Sequence, residues 1–157
     1  MISYRNLTLM DAMEIFALEK EIFTKESWSL AQVKEEIGGS RRLYICAEVS
    51  DGEATRIVGY GGVAISDESA DIHTIAVIKE YRRQGIAKRL MARLERWAKE
   101  NGAQKILLEM RVGNSEAKPL YESLGYREIS VRKDYYAPGM DAIVMSKELG
   151  SEVADVR

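Results

Sequence analysis

The sequence predicts an α/β protein. Three observations carry that expectation. Short apolar runs alternate with segments of helical periodicity in the order strand, helix, helix, three strands, helix, strand, helix, two strands. The apolar run Ile72–Ile78 is followed by a short basic turn and then by Ile86, Leu90, Leu94 and Trp97, spaced four, four and three apart, which reads as strand, turn, helix. Local capping and turn signals fall at the ends of most of these segments.

In chain order, Ile2–Arg5 is a short strand. Thr8-x-x-Asp11 is a capping box opening a helix whose Ile15, Leu18 and Ile22 share one face. Ser29-x-x-Gln32 caps a second helix, with Leu30, Val33 and Ile37 inside and Gly38-Gly39 ending it. The connection 22–28 carries Phe23 and Trp28, aromatics that suit either a lid on the core or the wall of a groove. Strands follow at 43–49 and 56–65 around the polar turn Ser50-Asp51-Gly52. The second contains Gly59-x-Gly61-x-x-Ala64, which imitates a dinucleotide fingerprint. That motif must leave a strand and open a helix, whereas here it lies inside a strand pattern, so it is rejected. Asn101-Gly102 stops the long helix, 105–112 is a central strand, and Ser115 starts a helix with Ala117, Leu120, Tyr121 and Leu124 on one face, capped by Gly125. Strands 126–132 and 142–147 flank Tyr135-Tyr136-Ala137-Pro138-Gly139, where Pro-Gly suits a type II turn. Residues 1–148 are expected to form one domain and 149–157 a polar tail.

Composition narrows the function. Hydrophobic residues at 46% and charged residues at 31% are ordinary for a globular chain. A net charge of −2 argues against direct nucleic-acid binding. No apolar run approaches the ~18 residues of a membrane span, and Met1–Arg5 lacks the apolar core of a signal peptide. The single cysteine, Cys46, sits in an apolar run and reads as a buried hydrophobe of a cytoplasmic protein. His73 is the lone histidine, so a two-His metal site is excluded and no metal is expected; on its strand it is expected to be packed.

Three features suggest chemistry. Arg82-Arg83-Gln84-Gly85-Ile86-Ala87-Lys88-Arg89 sets four cations at a helix N-terminus, the end where the macrodipole is already positive. Such a start is either a solvated basic turn or an anion cradle made of free N–H groups and a glycine that admits close approach. Glu109 stands among apolar neighbours in Ile106-Leu107-Leu108-Glu109-Met110. It is either a general base tuned by partial burial or an exposed-face carboxylate paired with Arg111 or a lysine. Tyr121 lies on an apolar stripe, and its hydroxyl needs a partner if buried.

Arg82-x-x-Gly85-x-Ala87 resembles the R/Q-x-x-G-x-G/A pyrophosphate loop of the GNAT acyl-CoA N-acyltransferases. Leu108-Glu109-Met110-Arg111-Val112-Gly113-Asn114-Ser115, with Leu120-Tyr121-Glu122-Ser123-Leu124-Gly125-Tyr126, is similar to the L-E-V-R-x-S-N…LYE-x-LGF block of RimI-type N-terminal acetyltransferases. Lys133–Ala137 with Met140–Met145 resembles that subfamily's R-x-YY…EDAIVM hairpin, and Ile75-Ala76-Val77 its strand end before the loop. Met110 for valine, Gly113 for serine and Met140-Asp141 for Glu-Asp are the departures. The match covers about residues 72–145; before it, only the layout and Trp28-Ser29 agree.

The resemblance implies a GNAT fold: a central mixed, mostly antiparallel sheet with helices on both faces. It implies acetyl-CoA as co-substrate, met by backbone groups of Ile75, Ala76 and Val77, by Arg82, Arg83, Gln84, Gly85, Ile86, Ala87 and Lys88 at the pyrophosphate, and by Asn114. Glu109 would be the proton acceptor and Tyr121 the donor to the leaving thiolate; Trp28, Tyr135 and Tyr136 would contact the acceptor peptide. The implied partner is a protein N-terminus, the Ala or Ser of a ribosomal protein or a broader set of nascent chains as in archaeal-type relatives, handled by a monomer or weak dimer. A non-catalytic acyl-CoA-binding module is the reading from another class.

Overall fold

In the computed structural model the described residues are 1–23, 27–111 and 117–150, with the side chains of Arg111 and Tyr136 outside the description. The expected tail and Ser115 therefore fall outside it, apart from residues 149–150. Strand β1 (Ile2–Asn6) leads through a 3-10 turn (Leu9–Asp11) to α1 (Ala12–Phe23) and α2 (Leu30–Gly38). Strands β2 (Arg42–Ser50), β3 (Thr55–Ser66) and β4 (Ser69–Val77) precede α3 (Ile86–Glu100). Then come β5 (Lys105–Arg111), α4 (Ala117–Ser123), β6 (Arg127–Ala137) and β7 (Met140–Glu148). The strands follow one hydrogen-bonded order, β1-β2-β3-β4-β5-β7-β6. The sheet is mixed: β4 pairs with β5 in parallel, whereas β1–β2, β2–β3, β5–β7 and β6–β7 are antiparallel.

The chain divides into two compact units, Met1–Ala64 with His73–Leu94 and Ile65–Ile72 with Glu95–Arg157. In the first, Leu7, Ile15, Val33, Cys46, Ile57 and Tyr60 form the centre of a buried cluster. Each fully buried aliphatic side chain there contributes roughly 1.5–3 kcal/mol. Both predicted capping boxes form, Thr8 with Asp11 and Ser29 with Gln32, and each satisfies N–H groups that a helix start leaves open. Burial pushes the Cys46 thiol up to about 11, so it behaves as a small hydrophobe.

Gly38-Gly39 ends α2 as expected, with Gly39 extended at φ −73° rather than left-handed. Glycine is needed there because a Cβ would lie 2.6 Å from the Arg42 side chain and 2.8 Å from the Glu35 carbonyl oxygen. His73 is not packed but exposed; its Nδ1 lies 2.7 Å from Glu36 Oε1, and Glu36 also accepts from Arg42 and the Tyr44 hydroxyl. The buried stripe of α1 includes an acid, Glu19, which accepts from the Tyr60 hydroxyl at 2.6 Å and from the Trp28 N–H at 3.3 Å. Burial raises the Glu19 pKa against those two hydrogen bonds.

The glycines of the rejected fingerprint now have a physical reason. A Cβ on Gly62 would collide with the Tyr44 ring, and one on Gly59 would press on the Ala76 carbonyl and Ile86 at 3.1 Å. They are packing glycines inside β3, not a phosphate turn.

In the second unit the first residues of β4 run parallel to β5, and β5 is flanked on its other side by β7. Gly125 and Gly139 take φ of +100° and +78°, so the predicted helix stop and Pro138-Gly139 turn form as expected. Strands β6 and β7 run closer to this turn than the sequence suggests, placing Tyr135 inside β6. Among the described residues no helix is long and apolar enough to cross a membrane.

Candidate active site

The basic loop in the first unit begins where β4 ends. Val77 and Ala76 are buried, Ile75 is half-buried, and a 3-10 turn over Lys79–Tyr81 carries the chain out of the strand. Arg82 Nε donates to the Val77 carbonyl at 2.9 Å, so this side chain staples the loop to the strand end, a role its position in the motif does not announce. Arg83 and Gly85 both adopt left-handed backbone, φ +62° and +84°, separated by Gln84. Alternation of this kind turns successive N–H groups toward one side and makes an anion-binding concavity. Arg89 N–H bonds the Gly85 carbonyl at 3.0 Å as the helix starts. The N–H groups of its first turn have no acceptor within the helix. Residues 82–85 and Lys88 are exposed and Ala87 is half-buried, whereas Ile86 is 2% exposed, so Ile86 anchors the helix start in the core while its neighbours face outward. The first turn of α3 contains no acidic residue. Free donors, cations and open space around Gly85 suit a diphosphate. A cavity of about 740 Å³ opens beside the loop, lined by Tyr4, Arg56, Tyr81, Gln84 and Arg89 among others; Glu109 is not part of its lining.

The carboxylate and phenols belong to the second unit. Glu109 lies on β5 between buried Leu108 and Met110, opposite Val144 of β7, and is half-buried. Its Oε2 is shut off from solvent with no hydrogen-bond partner among the described residues, a condition a carboxylate tolerates only at a cost of about 1–3 kcal/mol or more. The Tyr135 hydroxyl donates to the Glu109 carboxylate. That hydrogen bond is the main reason the Tyr135 phenol is pushed up; burial and the charges of Glu109 and Asp71 add to it, and Arg132 opposes it. Arg132 also lies 5.5 Å from the centre of the Tyr135 ring. Glu109 is half-buried rather than exposed and its described partner is a phenol; the Arg111 side chain, the other partner considered for it, lies outside the described residues.

Tyr121 is 7% exposed on α4, its ring edge-on to Tyr126 with centroids 6.0 Å apart. Tyr126 is fixed in turn by donating to Glu95 at 2.8 Å, and Lys147 holds the other Glu95 oxygen at 2.8 Å. Trp28 is half-buried against the core of the first unit, edge-on to Tyr44 at 6.4 Å. Asn114 and the Tyr136 side chain lie outside the described residues. Among the described residues no group of three or more His, Cys, Asp or Glu is placed to hold a metal ion.

Sequence reasoning places Tyr135 in the peptide clamp and misses its hydrogen bond to Glu109. It also misses Asp71, because it begins the strand at Ile72 whereas β4 starts at Ser69. The available signal is strand parity: Asp71 is two residues before His73 and four before Ile75, on one face of the same strand.

The profile of the acetyltransferase (GNAT) family matches residues 9–126. An uncharacterized protein of Mycobacterium leprae is 34% identical over 148 residues; the match covers 90% of this chain but 39% of that longer protein. The N-alpha-acetyltransferase RimI of Mycobacterium tuberculosis is 31% identical over 150 residues, covering 92% of this chain and 90% of its own length. The crystal structure of the ribosomal-protein-S18-alanine N-acetyltransferase from Escherichia coli superposes with a TM-score of 0.84 at 26% identity, covering 96% of both chains.

Proposed function

Because the chain belongs to the acetyltransferase (GNAT) family, we propose that it transfers the acetyl group of acetyl-CoA to the N-terminal α-amine of a protein, a ribosomal-protein chain beginning with Ala or Ser being the first candidate. The observation that carries this reading is Glu109, a half-buried carboxylate addressed by the Tyr135 hydroxyl, with one oxygen that has no partner among the described residues. A base so placed offers an acceptor for an N–H proton. Acetyl-CoA supplies an activated thioester, and the loop 82–88 would hold its diphosphate through first-turn N–H groups and the Arg83–Gly85 concavity.

Each residue then has one task. Glu109 accepts the proton that the amine loses as its nitrogen bonds to the acetyl carbon. Tyr121 gives its hydroxyl proton to the departing sulfur and regains one from solvent. Tyr135 orients the Glu109 carboxylate and borders the acceptor chain. An α-amine suits so modest a base. With a pKa of about 7.7–8.0 roughly a quarter of α-amines are neutral at about pH 7.4, against about 0.1% of lysines. The M. tuberculosis and E. coli relatives, which act on N-termini by name, support the same choice of amine.

The test is thiol release from acetyl-CoA across peptides beginning Ala, Ser, Met-Leu and Met-Glu, with an N-terminally blocked peptide carrying one internal lysine. The free Ala and Ser peptides are expected to react much faster than the blocked one, with mass spectrometry placing the acetyl group on the first residue. Preferential lysine modification would overturn the assignment, and binding of acetyl-CoA without turnover on any peptide would favour a non-catalytic module.

A further inference from the structure

The cavity of about 740 Å³ beside the basic loop has no part in the chemistry assigned to Glu109. Strand register builds its floor. Ile2 of β1, Val49 of β2 and Arg56 of β3 stand abreast across the sheet, and Tyr4 follows Ile2 by two residues on the same face. Tyr81, from the 3-10 turn after β4, forms its wall with Gln84 of the loop and Arg89 of α3. All of these residues belong to the first unit.

Aromatic rings hold the cations around this space. Arg56 lies 5.6 Å from the centre of the Tyr81 ring, and Arg93, one helical turn beyond Arg89, lies 5.4 Å from that of Tyr4. Burial raises the Tyr4 phenol, and the charges of Arg89 and Arg93 act against that rise, so both guanidiniums lie close to it. Among the described residues none of these three arginine side chains is paired with a carboxylate. Asp51 is the one carboxylate among the lining residues, and its Oδ1 accepts the Ala54 N–H at 3.2 Å in the β2–β3 turn. Arg56 and Arg89 therefore leave the cavity with a positive balance, although the whole chain carries −2. The volume falls within the roughly 300–1,000 Å³ of pockets that hold small organic ligands, and a bare phosphate would fill little of it. A ligand with a dianionic end and an uncharged body suits both the arginines and the apolar Ile2, Val49 and Ala54 surface.

We propose that this cavity is a second anion site, separate from the diphosphate loop, and that it takes the phosphomonoester of an organic phosphate of nucleotide size. Arg56 and Arg89 hold the phosphate oxygens through charge-assisted hydrogen bonds, with the Gln84 amide as a neutral donor. Gln84 also stands between Arg83 and Gly85 in the loop proposed for the diphosphate, so the two sites share a residue. The phosphomonoester has two possible sources, the 3′-phosphate of the CoA held at the loop and a free mononucleotide beside it. Acetyl-CoA binding is the only part of the proposed function that this site draws on, so failure of the N-terminal reading leaves it standing.

Calorimetry on wild type, Arg56→Gln and Arg89→Gln tests the site in two arms. In the first, each protein is titrated with CoA and with dephospho-CoA, which lacks the 3′-phosphate. In the second, AMP is titrated into protein already saturated with CoA. If the cofactor's own phosphate fills the cavity, wild type should bind CoA about tenfold more tightly than dephospho-CoA. The variants should then bring that ratio toward one, and AMP should not bind. If a free mononucleotide fills it, wild type should bind CoA and dephospho-CoA alike. AMP should then bind the CoA-loaded wild type, and the variants about tenfold more weakly. In either case dephospho-CoA affinity within about threefold of wild type, with unchanged thermal melts, shows that each variant is folded and its diphosphate loop intact. A wild type showing neither the CoA preference nor AMP binding would overturn the site. So would a preference or an AMP affinity that survives unchanged in both variants.

Discussion

Replacing Glu109 by glutamine separates proton transfer from packing. Gln has the same shape and can still accept the Tyr135 hydroxyl through its amide oxygen. It then turns an amide N–H₂ toward the position where Oε2 now lies without a partner among the described residues. Two effects oppose each other in stability. A buried N–H₂ without acceptors costs about 1–3 kcal/mol, and removing a half-buried negative charge returns a similar amount. The net change should stay near about 1 kcal/mol, or roughly 2–4 °C in Tm for a chain of this size. Catalysis has no such offset. Loss of a positioned general base costs about 10²–10⁴ in rate, equivalent to roughly 3–5 kcal/mol of barrier. In the thiol-release assay on an Ala-starting peptide, kcat should therefore fall at least about 10²-fold while acetyl-CoA affinity is unchanged. Tyr121→Phe in the same assay should also lose kcat, because it keeps the edge-on ring against Tyr126 and removes only the hydroxyl. If Glu109→Gln retains kcat within about threefold of wild type with cofactor affinity intact, the general-base argument is wrong.

Two further outcomes follow from other parts of the molecule. At Gly85 a Cβ would meet no atom within 4 Å, so Gly85→Glu fits sterically and its structural cost is the left-handed φ, about 1–2 kcal/mol. Calorimetry should show acetyl-CoA affinity falling by about tenfold or more for Gly85→Glu and less for Gly85→Ala, because only the first adds repulsion toward phosphate; equal losses would mean that strain, not charge, governs the loop. Asp11 accepts from both Arg5 guanidinium nitrogens at 2.9 and 3.0 Å and from the Thr8 N–H at 2.8 Å, and the Arg5 bonds hold its carboxyl below the usual range. A depressed folded pKa stabilises above the unfolded value of about 3.9 and is lost as pH falls through the folded one. The stability difference between wild type and Asp11→Asn, read from melts, should thus hold steady from pH 6 to 8, at about 1 kcal/mol since Arg5 is partly exposed, and shrink below about pH 4. A difference that grows on acidification would contradict this sign.

How much was legible in the sequence depended on the distance over which each feature is decided. Both capping boxes, the stops at Gly102 and Gly125 and the Pro138-Gly139 turn were readable because the groups involved lie within a few residues and their φ preferences are intrinsic. The basic helix start was readable for the same reason, as was the isolation of Glu109 among apolar neighbours. The GNAT fold class followed from the motifs between residues 72 and 145. The partners of those residues were not readable. Glu19 meets Tyr60 from 41 residues away, and Tyr44 occupies the space that makes Gly62 obligatory. Arg83 and Asp134 adopt left-handed backbone without being glycine, because the loop and the hairpin bulge around them fix it. The Glu109–Tyr135 hydrogen bond and the nearness of Asp71 to Tyr135 depend on strand register, and a slip of one residue would send each side chain to the opposite face. Register is settled by the packing of the whole sheet, so the sequence named the acid and only the tertiary structure decided what surrounds it.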